Sequence, residues 1–110
     1  MAKERVYSKY AQDAAFLMGQ QIKLARKNRK WSSSNLAERA GITRLTLQKI
    51  EAGDMKTSIG LVFEVAVIVG VPLFEEDRER FSNNIELIQS KIQLLPKRTR
   101  NPKKVVDEDF

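Results

Sequence analysis

The chain contains no cysteine and no histidine. Their absence removes disulfides, thiolate nucleophiles, imidazole general bases and ordinary zinc sites, each of which needs one of these side chains. Most enzyme classes go with them, and neither a metal nor a cofactor is expected. No apolar run approaches the roughly 20 residues that a membrane-spanning helix needs. The opening residues MAKERVYSKY also lack the apolar stretch of a signal peptide. These absences lead to the expectation of a cytoplasmic protein that touches no membrane.

What is present suits one small domain. The 110 residues are 42% hydrophobic, enough for a single core. Lys and Arg number 20 against 14 Asp and Glu, a net charge of +6 with a pI near 9.8. The excess is uneven. Residues 1–56 hold 12 cationic and 5 acidic side chains, residues 57–95 hold 3 and 6, and residues 96–110 hold 5 and 3. A positive first half beside an acidic middle suits a polyanion bound on one face.

The apolar spacing predicts helices throughout. Ala14, Ala15, Met18, Ile22 and Ala25 share one side of a helix over 11–30, whose end carries Lys23, Arg26, Lys27, Arg29 and Lys30. Ser32, Ser33, Ser34 and Asn35 favour a helix start, so a short helix should run over 33–40 and stop at Gly41. Thr43 is a good cap for a third helix over 44–52, ended by Gly53. The run LVFEVAVIV after Ser58 could pass for a buried strand by propensity. It is nevertheless expected to be helical over 59–69, because no second strand exists to pair with it.

Beyond Pro72 the acidic run Glu75, Glu76 and Asp77 suits the first turn of another helix. Phe81, Ile85, Ile88, Ile92 and Leu95 then form one apolar stripe. The domain organisation expected is an N-terminal arm (1–10), a bundle (11–76), a C-terminal helix (77–95) and a charged tail (96–110). The tail, PKRTRNPKKVVDEDF, is expected to be disordered alone. Its pair Val105 and Val106 between a basic cluster and an acidic trio, before the final Phe110, leaves two readings: a solubilising end, or a segment that folds onto a protein partner.

The most specific stretch is SSNLAERAGITRLTLQKIEA. Two helices crossing at a tight turn need a small residue at their closest approach, a glycine at the turn and apolar residues facing inward. Ala37, Gly41, and Leu36, Ala40, Ile42, Leu47 and Ile50 fill these seven positions.

This stretch, with residues 14–74 around it, resembles the Xre or phage-repressor type of helix-turn-helix DNA-binding family. The element Leu47, Gln48, Lys49, Ile50, Glu51, Ala52, Gly53 and the later Ile68, Val69, Gly70, Val71 carry the same likeness. The resemblance implies an all-α fold: a compact five-helix repressor-like bundle with an extra C-terminal helix and a disordered tail. It also implies that 44–49 lie on the helix presented to the DNA major groove. Arg44, Leu45, Thr46, Gln48 and Lys49 are then the candidates for base contact. Arg44 suits guanine, Gln48 adenine, Lys49 guanine or phosphate, and Leu45 a thymine methyl.

Phosphate contacts are expected from Ser33, Thr43, Lys27, Lys30 and Lys56. Ser33 stands where the family commonly has a glutamine, so its helix N-terminus must supply the grip. Arg26 and Glu51 occupy the positions of an internal salt bridge, and Trp31 a position that is normally leucine and plugs the core.

One such domain reads few bases, so a homodimer on a double-stranded operator is expected, paired through Phe81, Ile85, Ile88, Ile92 and Leu95. The small size and the tail resemble antitoxins of the HipB type, which repress their own operon and bind a HipA-like kinase toxin. Two rivals follow: a phage or integrative-element repressor without a toxin partner, and an interaction adaptor that no longer binds DNA.

Overall fold

The computed structural model describes residues 5–97. Among them are five helices and no strand: α1 (Lys9–Asn28), α2 (Ser33–Ala40), α3 (Arg44–Glu51), α4 (Ile59–Val69) and α5 (Arg78–Gln93). The all-α expectation holds, with the C-terminal helix as the fifth of the five, and the run LVFEVAVIV is helical. The expectations for residues 1–4 of the arm and 98–110 of the tail lie outside the described residues. No helix of the described residues is long and apolar enough to cross a membrane.

Each helix starts where a side-chain oxygen can take up a free N–H. Ser8 Oγ accepts from Ala11 N at 3.2 Å, which starts α1 two residues earlier than the apolar spacing suggests. Ser32, Thr43 and Ser58 cap α2, α3 and α4 in the same way. The carboxylate of Asp77 accepts from Glu79 N and Arg80 N and caps α5, so Glu75 and Glu76, expected in its first turn, lie before the helix and Glu79 takes that place.

The first four helices end alike. At Gly41 the N–H bonds back to Glu38 O and that of Ile42 to Ala37 O, a closure that requires the left-handed backbone Gly41 adopts at φ +71°. Gly53 and Gly70 repeat it. In α1 the same position is Lys30, at φ +60°, with Trp31 N donating to Arg26 O at 3.1 Å. A non-glycine residue in this region costs about 1–2 kcal/mol.

The chain divides after Leu73 into two compact units. In the first, α1 and α2 each pack on both α3 and α4. The core is Ile22, Leu36, Ala37, Leu47, Ile50, Val65, Ala66, Val69 and Val71, with Met18, Ala25, Trp31, Ala40 and Ile42 partly buried against it. Ala14, expected on the inner face of α1, is exposed, and the face turns instead through Gly19, which is buried. A Cβ on Gly19 would stand 2.5 Å from the carbonyl oxygens of Ile50 and Glu51. Only a glycine therefore lets α1 lie this close to the end of α3, and that contact fixes the helix-turn-helix against α1.

The second unit contains α5, which has no buried residue. Phe81 is half-buried, while Ile85, Ile88 and Ile92 are 47%, 54% and 60% exposed. Leu95 falls past the last helical turn, because Pro96 disfavours helical backbone at the residue before it. Phe74, Phe81, Asn84, Ile85, Ile88 and Gln89 line an apolar pocket of about 400 Å³ in this unit.

Candidate nucleic-acid interface

The geometry of α3 follows from two buried positions. Leu47 (0% exposed) and Ile50 (2%) anchor one side of the helix in the core. At 100° per residue the opposite arc then presents Arg44, Leu45, Gln48 and Lys49, all exposed. Leu45 is 60% exposed, an apolar side chain in open solvent on the outer face of a polar helix.

Thr46 and Thr43 are placed differently. Thr46 is half-buried at the edge of the arc, and its hydroxyl accepts from Thr43 Oγ1 at 3.0 Å. Thr43 Oγ1 also accepts from Thr46 N at 3.1 Å, so its hydroxyl already both donates and accepts within the cap. The two threonines therefore fix the start of α3, and the projecting groups are those of Arg44, Leu45, Gln48 and Lys49.

Beside the arc lies a polar groove of about 260 Å³, bounded by Thr46, Lys49, Asp54, Lys56, Ser58 and Leu61. It brings Lys49 and Lys56 together with the N-terminal end of α4. The hydroxyl of Thr57, which also lines it, is buried without a hydrogen-bond partner among the described residues. The loop is shaped by Asp54, whose Oδ1 accepts from Lys56 N at 2.7 Å.

At the start of α2, Ser32 and not Ser33 provides the cap. Ser32 Oγ accepts from Asn35 N at 3.0 Å, leaving Ser33 half-buried at the first helical position. Lys27 and Lys30 are exposed at the end of α1.

The ion pair implied by the resemblance is present. Arg26 Nε donates to Glu51 Oε2 at 2.8 Å and Nη2 to Oε1 at 3.0 Å, with both side chains only 9% exposed. The hydrogen bonds to Glu51 raise the Arg26 guanidinium pKa above its ordinary value and outweigh the opposing effect of burial. The pair joins α1 to the end of α3, the same junction that Gly19 makes close. Arg26 Nη1 also donates to Trp31 O at 3.1 Å. Arg26 is thus a structural residue, and its charge is consumed inside the bundle.

One cation, Arg39, was not singled out by the sequence, and Arg29, placed there in the cluster at the end of α1, has a more specific seat. Arg29 and Arg39 lie with their guanidinium carbons 5.1 and 4.0 Å from the centroid of the Trp31 ring. Trp31 is partly buried, as expected of a core plug, but it also carries these two arginines. The i, i+4 pair Asn35 and Arg39, one turn apart on α2 behind an aromatic residue, was the available signal.

The comparisons agree with this geometry. The helix-turn-helix family model matches residues 22–75. Among solved structures, a complex of a serine-to-alanine HipB variant with an O2 20mer is similar at 20% identity and a TM-score of 0.50, covering 69% of this chain and 97% of that one. A HipA-HipB-O2-O3 complex is similar at 21% identity and a TM-score of 0.50, covering 68% and 97%. A search of curated proteins gave no match. Likenesses at this identity concern the fold, and the family match concerns the motif itself. The chain carries, at residues 22–75, a helix-turn-helix domain of the Xre or phage-repressor type.

Proposed function

We propose that this protein is a dimeric, sequence-specific DNA-binding regulator that represses its own operon as the antitoxin of a HipA-like kinase. The observation that carries the DNA-binding part is the exposed arc Arg44, Leu45, Gln48 and Lys49, held outward by the burial of Leu47 and Ile50. It combines a bidentate donor, an amide, an ammonium and an apolar group, the set needed to read base edges in a major groove. Lys56 in the groove beside it, Lys27 and Lys30 at the end of α1, and the start of α2 at Ser33 serve in this reading as contacts to the DNA backbone. The apolar stripe of α5 is the pairing surface. The antitoxin assignment is supported by likeness of fold to the HipB structures and by the absence of catalytic side chains such as cysteine and histidine.

Footprinting on the region upstream of its own gene tests the reading. Two protected half-sites about one helical turn apart, roughly 34 Å, are expected. Arg44→Ala should weaken operator binding by about 1–3 kcal/mol and relax specificity at one base pair. Equal affinity for operator and random DNA would favour the adaptor reading. Co-purification with a kinase encoded beside it separates an antitoxin from a repressor that has no toxin partner.

A further inference from the structure

The corner between α1 and α2 is built with more precision than a solvent-exposed turn needs. The backbone of Trp31 is held at both ends by Arg26: its N–H donates to Arg26 O, and its carbonyl accepts from Arg26 Nη1, each at 3.1 Å. Arg26 itself is locked by Glu51 in the core. The backbone that carries the indole is therefore tied to the buried ion pair, and the side chain itself is partly buried against the core.

The two arginines over the indole are held differently. Arg29 Nε donates to Val69 O at 3.0 Å, which ties it to the end of α4. Arg39, in the last turn of α2, folds back along the helix so that its Nε donates to Asn35 Oδ1 at 2.6 Å. The fold-back carries its charge from the end of α2 to its first turn, over Trp31. The two Nη groups of Arg39 have no partner among the described residues. An aromatic face under a guanidinium leaves its in-plane N–H donors free, the geometry in which arginine grips a phosphate.

We infer that Trp31 is a positioning residue that holds Arg39 as a DNA-phosphate contact, supplying the reach that Ser33 lacks. The inference rests on the DNA-binding reading above. A second observation bears on the same corner. Lys30, immediately before Trp31, keeps a side chain in a left-handed conformation that glycine takes at the ends of α2 and α4 and just after α3. A cation is thus retained next to the stack where glycine would be easier.

Phosphate contacts act on any sequence and reveal themselves in salt dependence. The full chain should therefore be titrated, over a range of salt, with a duplex from its own upstream region and with a random duplex. Arg39→Ala should lower the slope of log K against log salt by about one on both duplexes, with a several-fold loss of affinity at low salt. Trp31→Leu should do the same while the circular dichroism spectrum is unchanged, and Trp31→Phe should restore most of the slope. Adding Arg39→Ala to Trp31→Leu should cost nothing further. An unchanged slope in Arg39→Ala, whose side chain is exposed and whose loss leaves the core intact, overturns the inference, as does a folded Trp31→Leu with the wild-type slope. A wild-type chain that binds neither duplex overturns the DNA reading first, and this inference with it.

Discussion

In α1 to α4 the apolar positions that recur at helical spacing close on one another: Ile22, Leu36, Leu47 and Val65 are fully buried and Ile50 and Val69 nearly so. In α5 the same spacing produces Phe81, Ile85, Ile88 and Ile92, yet no residue of the helix is buried. The two regions have the same sequence signature and opposite outcomes. Periodicity reports that a helix has an apolar face; it does not report what that face meets. In the first unit the answer is three other helices, fixed by glycine-closed turns and by a buried ion pair. In the second the face is exposed, and it is the surface that the proposed pairing of two copies would use.

The comparison can be broken hardest at the ion pair. Glu51→Leu leaves the Arg26 guanidinium buried without its carboxylate and should cost about 3–5 kcal/mol, read by urea denaturation. Arg26→Met in the same chain should recover much of that loss, because two apolar side chains of similar volume need no pairing. Leu47→Ala, at a position with no exposure, should cost about 2–5 kcal/mol. A loss below 1 kcal/mol in either case would mean that the first unit is not the closed core described above.

Gly19→Ala comes next. Its methyl would meet the carbonyl oxygens of Ile50 and Glu51, which belong to backbone and cannot rotate away, so α1 must lift from α3 at a cost of about 1–3 kcal/mol. Because α3 carries the outward arc, the same substitution should weaken operator binding by more than the fall in folded fraction explains. Wild-type affinity in a folded Gly19→Ala chain would show that the seat of α1 on α3 does not position the arc.

Gly19 also shows where sequence reading stopped. The helices from Ser33 to Val69 were legible almost to the residue, since serine, threonine and glycine at their ends have local physical reasons to be there. The same logic gave the buried and exposed sides of α3. A glycine within α1 has no local signature beyond weakening the helix; its reason is the distance to another element. The cap at Ser8, the exposure of Ala14 and the fold-back of Arg39 were hidden for related reasons. Each depends on one side-chain conformation or one tertiary contact, which hydrophobic spacing averages away. Thr43 and Thr46 are a further case: one caps α3 and the other lies in its first turn, and the hydrogen bond between their hydroxyls depends on side-chain conformation.

The smallest effect is expected in α5, and it decides the comparison from the other side. Replacing Ile85 and Ile88, which are 47% and 54% exposed, by Asp should change the stability of the dilute protein by no more than about 0.5 kcal/mol each, as for other surface substitutions. A pairing surface behaves differently as concentration rises. For the wild type, association should raise Tm with protein concentration, because the partner binds only the folded chain. The double substitution should abolish that dependence and reduce operator affinity, while the outward arc of α3 and its base preferences stay as they were. If the dilute protein instead loses several kcal/mol, the stripe belongs to the monomer's own core and the contrast between the two regions fails. If stability, association and operator affinity are all unchanged, α5 is not the pairing helix, and the second half-site must be reached through another surface.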